Sequence, residues 1–389
     1  MGRPKLNIGI IGYNFMGKAH SNAWLQAGRF FELGMEPVLK AACGRNEAAV
    51  QSFADNWGWE SIETDWRKMV ERDDIDVIDI SLPQALHCEV AVAAARHGKH
   101  IFCEKPLAMS VAEGRQMLSA AESAGVKHYL NHNYRRAPAV QLARQLIADG
   151  SIGRIFHWRG AYQQDWIVDP DFPLTWQLQK ESAGSGPHAD LNSHSVDLAH
   201  FLIGDIKTVS CLTTQFIKER PMPGEGSAVF SAGESSGPQR MGEVTVEDAS
   251  LMHVEFSNGA IGSFEGTRFA TGRKNHNVFE IYGSEGSLVF DLERMNELQF
   301  FSRNDPAYAQ GFRTVLATEP CHAYVKNWWP PGHVIGYEHA FVHGIVDFME
   351  AIVSDGKVEP NFADGIKVMT VLETGLKSAA SGQRLSVPA

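Results

Sequence analysis

The stretch LNIGIIGYNFMG, residues 6–17, is an apolar run that ends in glycine and leads into a helical pattern over residues 18–27. Its glycine spacing, G-x-N-x-x-G, matches the dinucleotide-binding fingerprint at Gly12 and Gly17, but Asn14 replaces the second glycine. Asparagine tolerates left-handed backbone, so the turn is still possible, although its side chain narrows the approach to a pyrophosphate. By itself the stretch also fits a plain strand–turn–helix.

Strand-like and helical patterns alternate after this stretch. Predicted strands lie at 38–43, 77–81, 100–103 and 128–131, and predicted helices at 47–56, 66–72, 85–97 and 111–124. Strands that alternate with helices predict βαβ units and a parallel sheet. The expected fold class is therefore α/β over residues 1–135, as a Rossmann domain that binds NAD or NADP.

The pattern changes near residue 150. A strand pattern at 155–162 has no crossover helix after it, and beyond residue 245 the strand patterns are joined by hairpin turns at 257–259 and 283–286. We expect residues 136–389 to form an α+β domain with a large, mostly antiparallel open β-sheet. Such a sheet is a natural surface for a homodimer or homotetramer.

The composition argues against several classes of protein. The chain has 389 residues, with 35 Lys or Arg, 46 Asp or Glu, and a formal net charge of −11. Nucleic acid is not an expected partner because no basic residues cluster, and a membrane span is not expected because no apolar run reaches about 18 residues. The five cysteines are scattered without a C-x-x-C pair, which favours the cytoplasm and indicates no metal site.

The end of the second predicted strand bears on the choice of cofactor. A carboxylate at this point would bind the ribose 2′-hydroxyl of NAD, but the chain has Gly44 and Arg45 there and no acid before Glu47. A guanidinium matches phosphate geometry, so Arg45 favours NADP slightly over NAD. The alternative is that Arg45 is a surface residue and the protein uses NAD.

The stretch CEKPL, residues 103–107, follows the predicted strand at 100–103. Ligands of doubly wound folds bind at the carboxyl edge of the sheet, so Lys105 is a candidate for the reaction centre. A solvated lysine at the start of a helix is the alternative.

A further candidate is the pattern D-x-x-x-H formed by Asp190 and His194 in a helix predicted at 188–203. Asp190, His194 and Asp197 fall within about 60° of one another on a helical wheel, whereas His188 lies on the opposite side. The pattern fits a helix salt bridge, half of a metal site or a catalytic pair, but the clustered cysteines of a zinc dehydrogenase are missing. His194 is the best general base because the ordinary pKa of histidine is near neutrality.

Aromatic and amide side chains supply candidates for binding a substrate. Gln164 and Trp166 lie in a loop rich in Trp, Pro and Gln, and an aromatic face beside polar groups suits a pyranose ring. Trp166 fits a core position equally well. Trp329 and Tyr337 belong to another aromatic segment, 327–337, which either caps a sugar pocket or packs on the helix that follows.

The order of these motifs resembles the Gfo/Idh/MocA family of sugar and cyclitol dehydrogenases over essentially the whole chain. The matching motifs are Gly12/Gly17, Pro83-x-x-x-His87, Glu104-Lys105-Pro106, Asn131-x-Asn133-Tyr134-Arg135-Arg136, Asp190-x-x-x-His194-x-x-Asp197 and Pro360-x-Phe362-x-Asp364-Gly365. One departure is Trp176-Gln177, where the family has a Trp-Arg pair. A cofactor contact by that arginine is therefore lost here or made by another residue.

The resemblance implies a role for each matching residue. It makes Lys105, Asp190 and His194 the catalytic residues and implies that the Lys105–Pro106 bond is cis. The positions expected to bind the cofactor are Gly12, Asn14, Phe15, Met16, Gly17, Gly44, Arg45, Leu82, Pro83, His87, Glu104, Lys105, Asn133 and Trp176. The positions expected to bind the substrate are Lys105, Tyr134, Gln164, Trp166, Asp190, His194, Trp329 and Tyr337.

These roles predict an NAD(P)-dependent oxidoreductase that acts on the CH–OH group of its donor. The resemblance implies hydride transfer from a secondary hydroxyl, at C3 of a pyranose sugar such as levoglucosan or a glucoside. An inositol (cyclitol) dehydrogenase with the same three catalytic residues is the alternative enzyme. A catalytically silent NAD(P)-binding sensor is the alternative from another class, but a silent binder has no chemical need for all three residues.

Overall fold

The computed structural model describes residues 3–223 and 240–388. The chain forms two compact units, the first made of residues 1–138 and 318–367 and the second of residues 139–317 and 368–389. Residues 318–367, which the sequence prediction assigns to the second domain, thus lie in the first unit.

The strands of the described residues are β1 (Lys5–Ile11), β2 (Glu36–Cys43), β3 (Ile62–Glu63), β4 (Val77–Ile80), β5 (His100–Cys103), β6 (His128–Leu130), β7 (Ile155–Gln163), β8 (Ile206–Thr214), β9 (Glu219–Pro221), β10 (Met241–Glu243), β11 (Ala249–Phe256), β12 (Ile261–Thr267), β13 (His276–Gly283), β14 (Gly286–Asp291), β15 (Glu297–Ser302), β16 (Arg313–Leu316) and β17 (Leu385–Ser386). The helices are α1 (Phe15–Phe30), α2 (Glu47–Trp57), α3 (Trp66–Glu71), α4 (His87–Arg96), α5 (Val111–Ala124), α6 (Pro138–Ala148), α7 (Lys180–Ala183), α8 (Pro187–Asp190), α9 (Asn192–Leu202), α10 (His339–Ser354) and α11 (Phe362–Ser381).

The first unit is built on a six-stranded parallel sheet with the order β3-β2-β1-β4-β5-β6. All four residues of β4 are buried, as expected for a strand covered on both faces. The direction of the strand order reverses between β1 and β4, and ligands of open α/β sheets bind at such a point. This topology confirms the predicted Rossmann domain.

The core of the first unit contains residues from both of its chain segments. Ile8 of β1 and Trp24 of α1 belong to one buried apolar cluster with Phe341 and Ile345 of α10. All four side chains are at most 2% exposed. Helix α10 is therefore part of the wall of this unit.

The second unit is built on a nine-stranded sheet with the order β16-β15-β14-β13-β7-β12-β11-β8-β17. Strands β7 and β12 run parallel, and every other neighbouring pair is antiparallel. Burial alternates along β11, so one face is packed and the other open. Helices α8 and α9 pack on strands β7, β11 and β12. The predicted mostly antiparallel sheet is confirmed.

The helix predicted at 188–203 is divided in the structure. Helix α8 ends at Asp190 and α9 begins at Asn192, with Leu191 between them. The backbone N–H of His194 donates to the carbonyl of Leu191, three residues earlier, at 3.1 Å, and this tighter turn separates the two helices. The wheel argument for Asp190 and His194 is therefore wrong, because they lie on successive helices.

Within residues 3–223 and 240–388, no helix is both long enough and apolar enough to cross a membrane.

Candidate active site

The turn after β1 requires glycine at two positions. Gly12 has a φ of +113°, and a Cβ atom there would lie 2.3 Å from the carbonyl oxygen of Ser81. A Cβ atom on Gly17 would lie 2.3 Å from the carbonyl oxygen of Gly12. Asn14 has a φ of −81°, so the backbone does not need glycine at the second fingerprint position. The two glycines that match the fingerprint are the two that the geometry demands.

The N-terminus of α1 fits the pyrophosphate of a dinucleotide. The helix has 16 residues, its first turn contains no acidic residue, and the Asn14 side chain makes no capping hydrogen bond. The N–H groups and dipole of such a helix end favour an anion. Phe15 and Met16 lie in this first turn, and Phe15 is exposed.

The end of β2 carries charges of both signs. Arg45 is exposed. Cys43 is buried, and burial together with the nearby carboxylates of Glu63 and Asp65 raises its thiol pKa to about 12. The Gly44 N–H donates to the backbone carbonyl of Glu63 at 3.1 Å. This edge therefore offers a guanidinium and two acids near the place where the adenosine ribose binds in this fold.

His87 ties together the loops that follow β4 and β5. One ring nitrogen lies 2.9 Å from the Leu82 carbonyl oxygen and the other 3.0 Å from that of Pro106. The ring is fully buried, and burial lowers its pKa. Pro83, at the start of this turn, is exposed. The His87 ring thus contacts the backbone of both loops and connects them.

Lys105 follows β5 and is preceded by a buried polar cluster. The Lys105–Pro106 bond is cis, as the resemblance implies. The Lys105 N–H donates to Oε2 of Glu104 at 3.1 Å. The other oxygen of Glu104 accepts from Nδ2 of Asn131 at 2.6 Å and lies 2.9 Å from Nε2 of His20. Glu104 is only 5% exposed, so its carboxylate points into the protein beneath Lys105.

His20 joins two buried carboxylates. Its Nδ1 lies 2.8 Å from Oδ1 of Asp79, which also accepts from Nε1 of Trp24 through its second oxygen at 2.8 Å. Burial by itself would lower the pKa of His20, but Asp79 and Glu104 raise it to about 10. The ring is therefore an imidazolium that donates to both acids.

The segment after β6 places its polar side chains in the interior of the first unit. Asn133 and Tyr134 are buried, and the rings of Tyr134 and Tyr337 are 6.4 Å apart. Burial, with help from the charges of Arg135 and Lys105, lowers the pKa of His132 to about 3. Trp329 is 48% exposed, and its ring packs edge-on against Phe30.

In the second unit, Asp190 is held by an arginine. Nη2 of Arg268 donates to Oδ2 of Asp190 at 2.7 Å. The Arg268 side chain is 1% exposed and that of Asp190 is 38% exposed. The guanidinium carbon of Arg268 lies 5.1 Å from the centre of the Trp166 ring. Asp190 therefore presents its carboxylate at the surface while its partner is buried.

Further contacts connect Trp166 with the neighbourhood of His194. Nε1 of Trp166 donates to Oε1 of Gln164 at 2.8 Å, and Nε2 of Gln164 donates to Oδ1 of Asn275 at 3.1 Å. The Tyr162 hydroxyl donates to the same Asn275 oxygen at 2.6 Å, and its ring lies 5.8 Å from that of His194. The structure thus brings four predicted site residues of this unit, Asp190, His194, Gln164 and Trp166, into one connected group.

Other residues of the second unit lie apart from this group. His188 is fully buried, with its ring nitrogens 2.7 Å from the Ser250 hydroxyl and 2.8 Å from the Leu372 carbonyl oxygen. Asp197 is buried in α9. Trp176 is exposed at the start of a short 3-10 turn.

Several residues of these clusters were not among the sequence candidates, and three of them carry charge: His20, Asp79 and Arg268. His20 stands three residues after Gly17, so the fingerprint stretch contained a signal for it. Asp79 lies within a buried apolar strand, where a carboxylate is unusual enough to suggest a partner. Arg268 follows β12 without any local motif, and only the fold brings it to Asp190.

The fold and these two groups of residues define a dinucleotide-dependent oxidoreductase. Residues 6–132 match the family described as "Oxidoreductase family, NAD-binding Rossmann fold", and residues 140–289 match the GFO/IDH/MocA C-terminal domain. The chain belongs to the Gfo/Idh/MocA family.

Individual relatives match along the whole chain. Levoglucosan dehydrogenase of Pseudarthrobacter phenanthrenivorans is 42% identical over 386 residues, which is 98% of each chain. The crystal structure of an oxidoreductase domain protein from Kribbella flavida has a TM-score of 0.94 and 48% identity, covering 99% of this chain and 100% of that one. A levoglucosan dehydrogenase in complex with NADH and levoglucosan has a TM-score of 0.92 and 41% identity, with coverage of 99% and 100%.

Proposed function

We propose that this enzyme oxidises a secondary hydroxyl of a pyranose sugar, with levoglucosan as the first candidate and C3 as the reacting carbon. The proposal is carried by the match to a levoglucosan dehydrogenase along 98% of both chains. The connected group of Asp190, His194, Gln164 and Trp166 in the second unit supports it.

Oxidation of a secondary alcohol requires a base for the hydroxyl proton. In the proposal, the His194 imidazole accepts this proton. Asp190, held on Arg268, accepts a hydrogen bond from a neighbouring sugar hydroxyl and thereby orients the ring. The Lys105 ammonium stabilises negative charge as it develops on the reacting oxygen. When bound, the nicotinamide supplies the acceptor for the hydride.

For the cofactor we propose NAD, held at Gly12, Gly17 and the N-terminus of α1. The relative solved with NADH supports this choice. So do Glu63 and Asp65 near the end of β2, because carboxylates repel a 2′-phosphate. Arg45 is the feature that would instead favour NADP. The ratio of kcat/KM for the two cofactors decides between them.

The test is a substrate panel assayed through the absorbance of the reduced nicotinamide. The purified protein is incubated with NAD or NADP and with levoglucosan, glucose, methyl glucosides or inositols, and the Lys105→Ala variant serves as the blank. We expect the highest kcat/KM with levoglucosan or another pyranose. Turnover confined to inositols would establish a cyclitol dehydrogenase instead, and no turnover with any pair would refute the proposal.

We also propose that two or more copies associate through the open face of the nine-stranded sheet. Leu212 of β8 lies directly opposite Leu251 of β11, and Ile261 of β12 belongs to the same face. All three are exposed in the single chain, with Leu212 65% exposed. An apolar patch of this kind is typical of a contact surface. Light scattering coupled to gel filtration measures the number of copies.

A further inference from the structure

We propose that Arg268 is a positioning residue of the reaction: it fixes the Asp190 carboxylate in one orientation, and Trp166 supports the guanidinium rather than the sugar. This inference deepens the proposed function and depends on it only for the role given to Asp190. It assigns a task to a buried cation that no sequence motif marks.

The geometry of the pair is asymmetric. Arg268 is more than nine-tenths buried, and among the described residues its hydrogen bond to a carboxylate goes to Asp190 at 2.7 Å. Asp190 is 38% exposed, so the same carboxylate has a solvent-facing side. A charge-assisted bond from a rigid guanidinium gives more directional control than a mobile surface pair does. Asp190 is therefore anchored on Arg268 while part of its side chain is accessible from outside.

Trp166 completes the support for Arg268. The guanidinium lies over the indole ring at 5.1 Å, and Phe172 packs edge-on against the same ring at 5.2 Å. The indole Nε1 is engaged by Gln164. A ring with these neighbours holds the cation in place by a cation–π contact, and less of its surface remains for a sugar.

Several other charged or titratable groups face this pair from the elements packed on α8. His194 lies on α9, and Glu247 and Asp248 precede β11. Glu247 accepts from the Ser185 hydroxyl and from the His188 N–H, both through Oε1 at 2.7 and 2.9 Å. Asp248 accepts the N–H groups of Phe216 and Ile217 through one oxygen. Glu247 thus has partners of its own, whereas the pKa of Asp248, raised by burial, is lowered in part by the charges of Arg220 and Arg268.

The first test measures the pH dependence of kcat/KM. Arg268→Met removes the charge, and we expect the acidic limb of the profile, which reports the proton on the base His194, to move up by about one pH unit, because loss of a nearby cation raises the pKa of the groups around it. Arg268→Lys retains the charge, and its acidic limb should stay near that of the wild type. If Arg268 had only a structural role, the acidic limbs of both variants would move alike or neither would move, and that result would overturn the proposal.

Arg220 supplies the matched control. It is also fully buried in the second unit, but its guanidinium donates to the backbone carbonyls of Ile167, Asp169 and Phe172. Arg220→Met should lower the melting temperature without moving the acidic limb. A shift equal to that of Arg268→Met would mean that any buried arginine has the effect, and the proposal would fail.

A second measurement needs no activity, and so separates failure of this inference from failure of the proposed function. Asp190→Asn leaves the buried Arg268 without its carboxylate, whereas Asp190→Asn/Arg268→Met removes both charges. We expect the double variant to melt at a higher temperature than Asp190→Asn, because an unpaired buried charge is costly. Additive losses of melting temperature would refute the coupling, whatever the enzyme oxidises.

Discussion

Raising the pH above neutrality should destabilise this protein through His20. The ordinary pKa of a histidine is 6.5, and the contacts with Asp79 and Glu104 raise that of His20 to about 10. A folded-state pKa above the unfolded one means that the stabilisation is complete below pH 6.5 and is lost as the pH rises toward 10. At about 1.4 kcal/mol per pH unit, the full loss approaches about 5 kcal/mol.

This loss can be measured between pH 6.5 and 8.5. Above that range the buried thiols of Cys43 and Cys103 add their own pH dependence, because burial raises the pKa of both. Below it the buried neutral rings of His132 and His343 do so, since burial lowers the pKa of each to about 3. The histidines whose pKa burial lowers gain stability as the pH rises through this range, opposite in sign to His20. The contribution of His20 is therefore read as the difference between the wild type and a variant that lacks this ring.

The assay is urea unfolding at constant ionic strength, followed by tryptophan fluorescence, for the wild type and His20→Gln. We expect the difference in free energy of unfolding between the wild type and His20→Gln to fall by about 2 to 3 kcal/mol across the window. A difference that stays constant or rises across these two pH units would refute an imidazolium at His20. The same slope in both proteins would assign the effect to other groups.

Three further predictions concern catalysis, cofactor choice and assembly. Lys105→Ala and His194→Ala should each lower kcat by about 10²- to 10⁴-fold. The dissociation constant of NADH, measured by fluorescence, should stay close to that of the wild type. A near-normal rate of His194→Ala across the pH range would show that His194 is not the base. Arg45→Ala should lower kcat/KM with NADP more than with NAD, and equal losses would show that Arg45 does not contact a 2′-phosphate. Leu251→Lys should reduce the number of associated copies measured by light scattering without lowering the melting temperature. An unchanged mass would place the contact surface elsewhere.

Local patterns were sufficient to predict the first sheet. The strand at His100–Cys103 and the helix at Val111–Ala124 begin and end where the apolar periodicity and the flanking residues indicate. Ser110 caps this helix through the Glu113 N–H, and Gly125 ends it with left-handed backbone, both of which are readable from sequence. Gly12 and Gly17 were likewise visible because their spacing reflects a steric requirement.

Features that depend on distant segments could not be predicted in this way. The break at Leu191 comes from a tighter turn within a sequence that is helical throughout by pattern. Arg268 reaches Asp190 across 78 positions of the chain, and a single sequence carries no sign of such a pair. Glu104 looked like a cofactor ligand from its position, whereas both of its oxygens accept from groups of the protein interior.

The return of residues 318–367 to the first unit has a consequence for how this protein can be dissected. A fragment ending at residue 138 would contain every strand of the parallel sheet but would lack α10. Phe341, Ile345 and Phe348 would then no longer cover the apolar surface beside Trp24. Such a fragment should expose a hydrophobic surface and aggregate. The first unit therefore cannot be produced as a fragment of residues 1–138. During synthesis its core can be completed only after the chain has been made as far as residue 367.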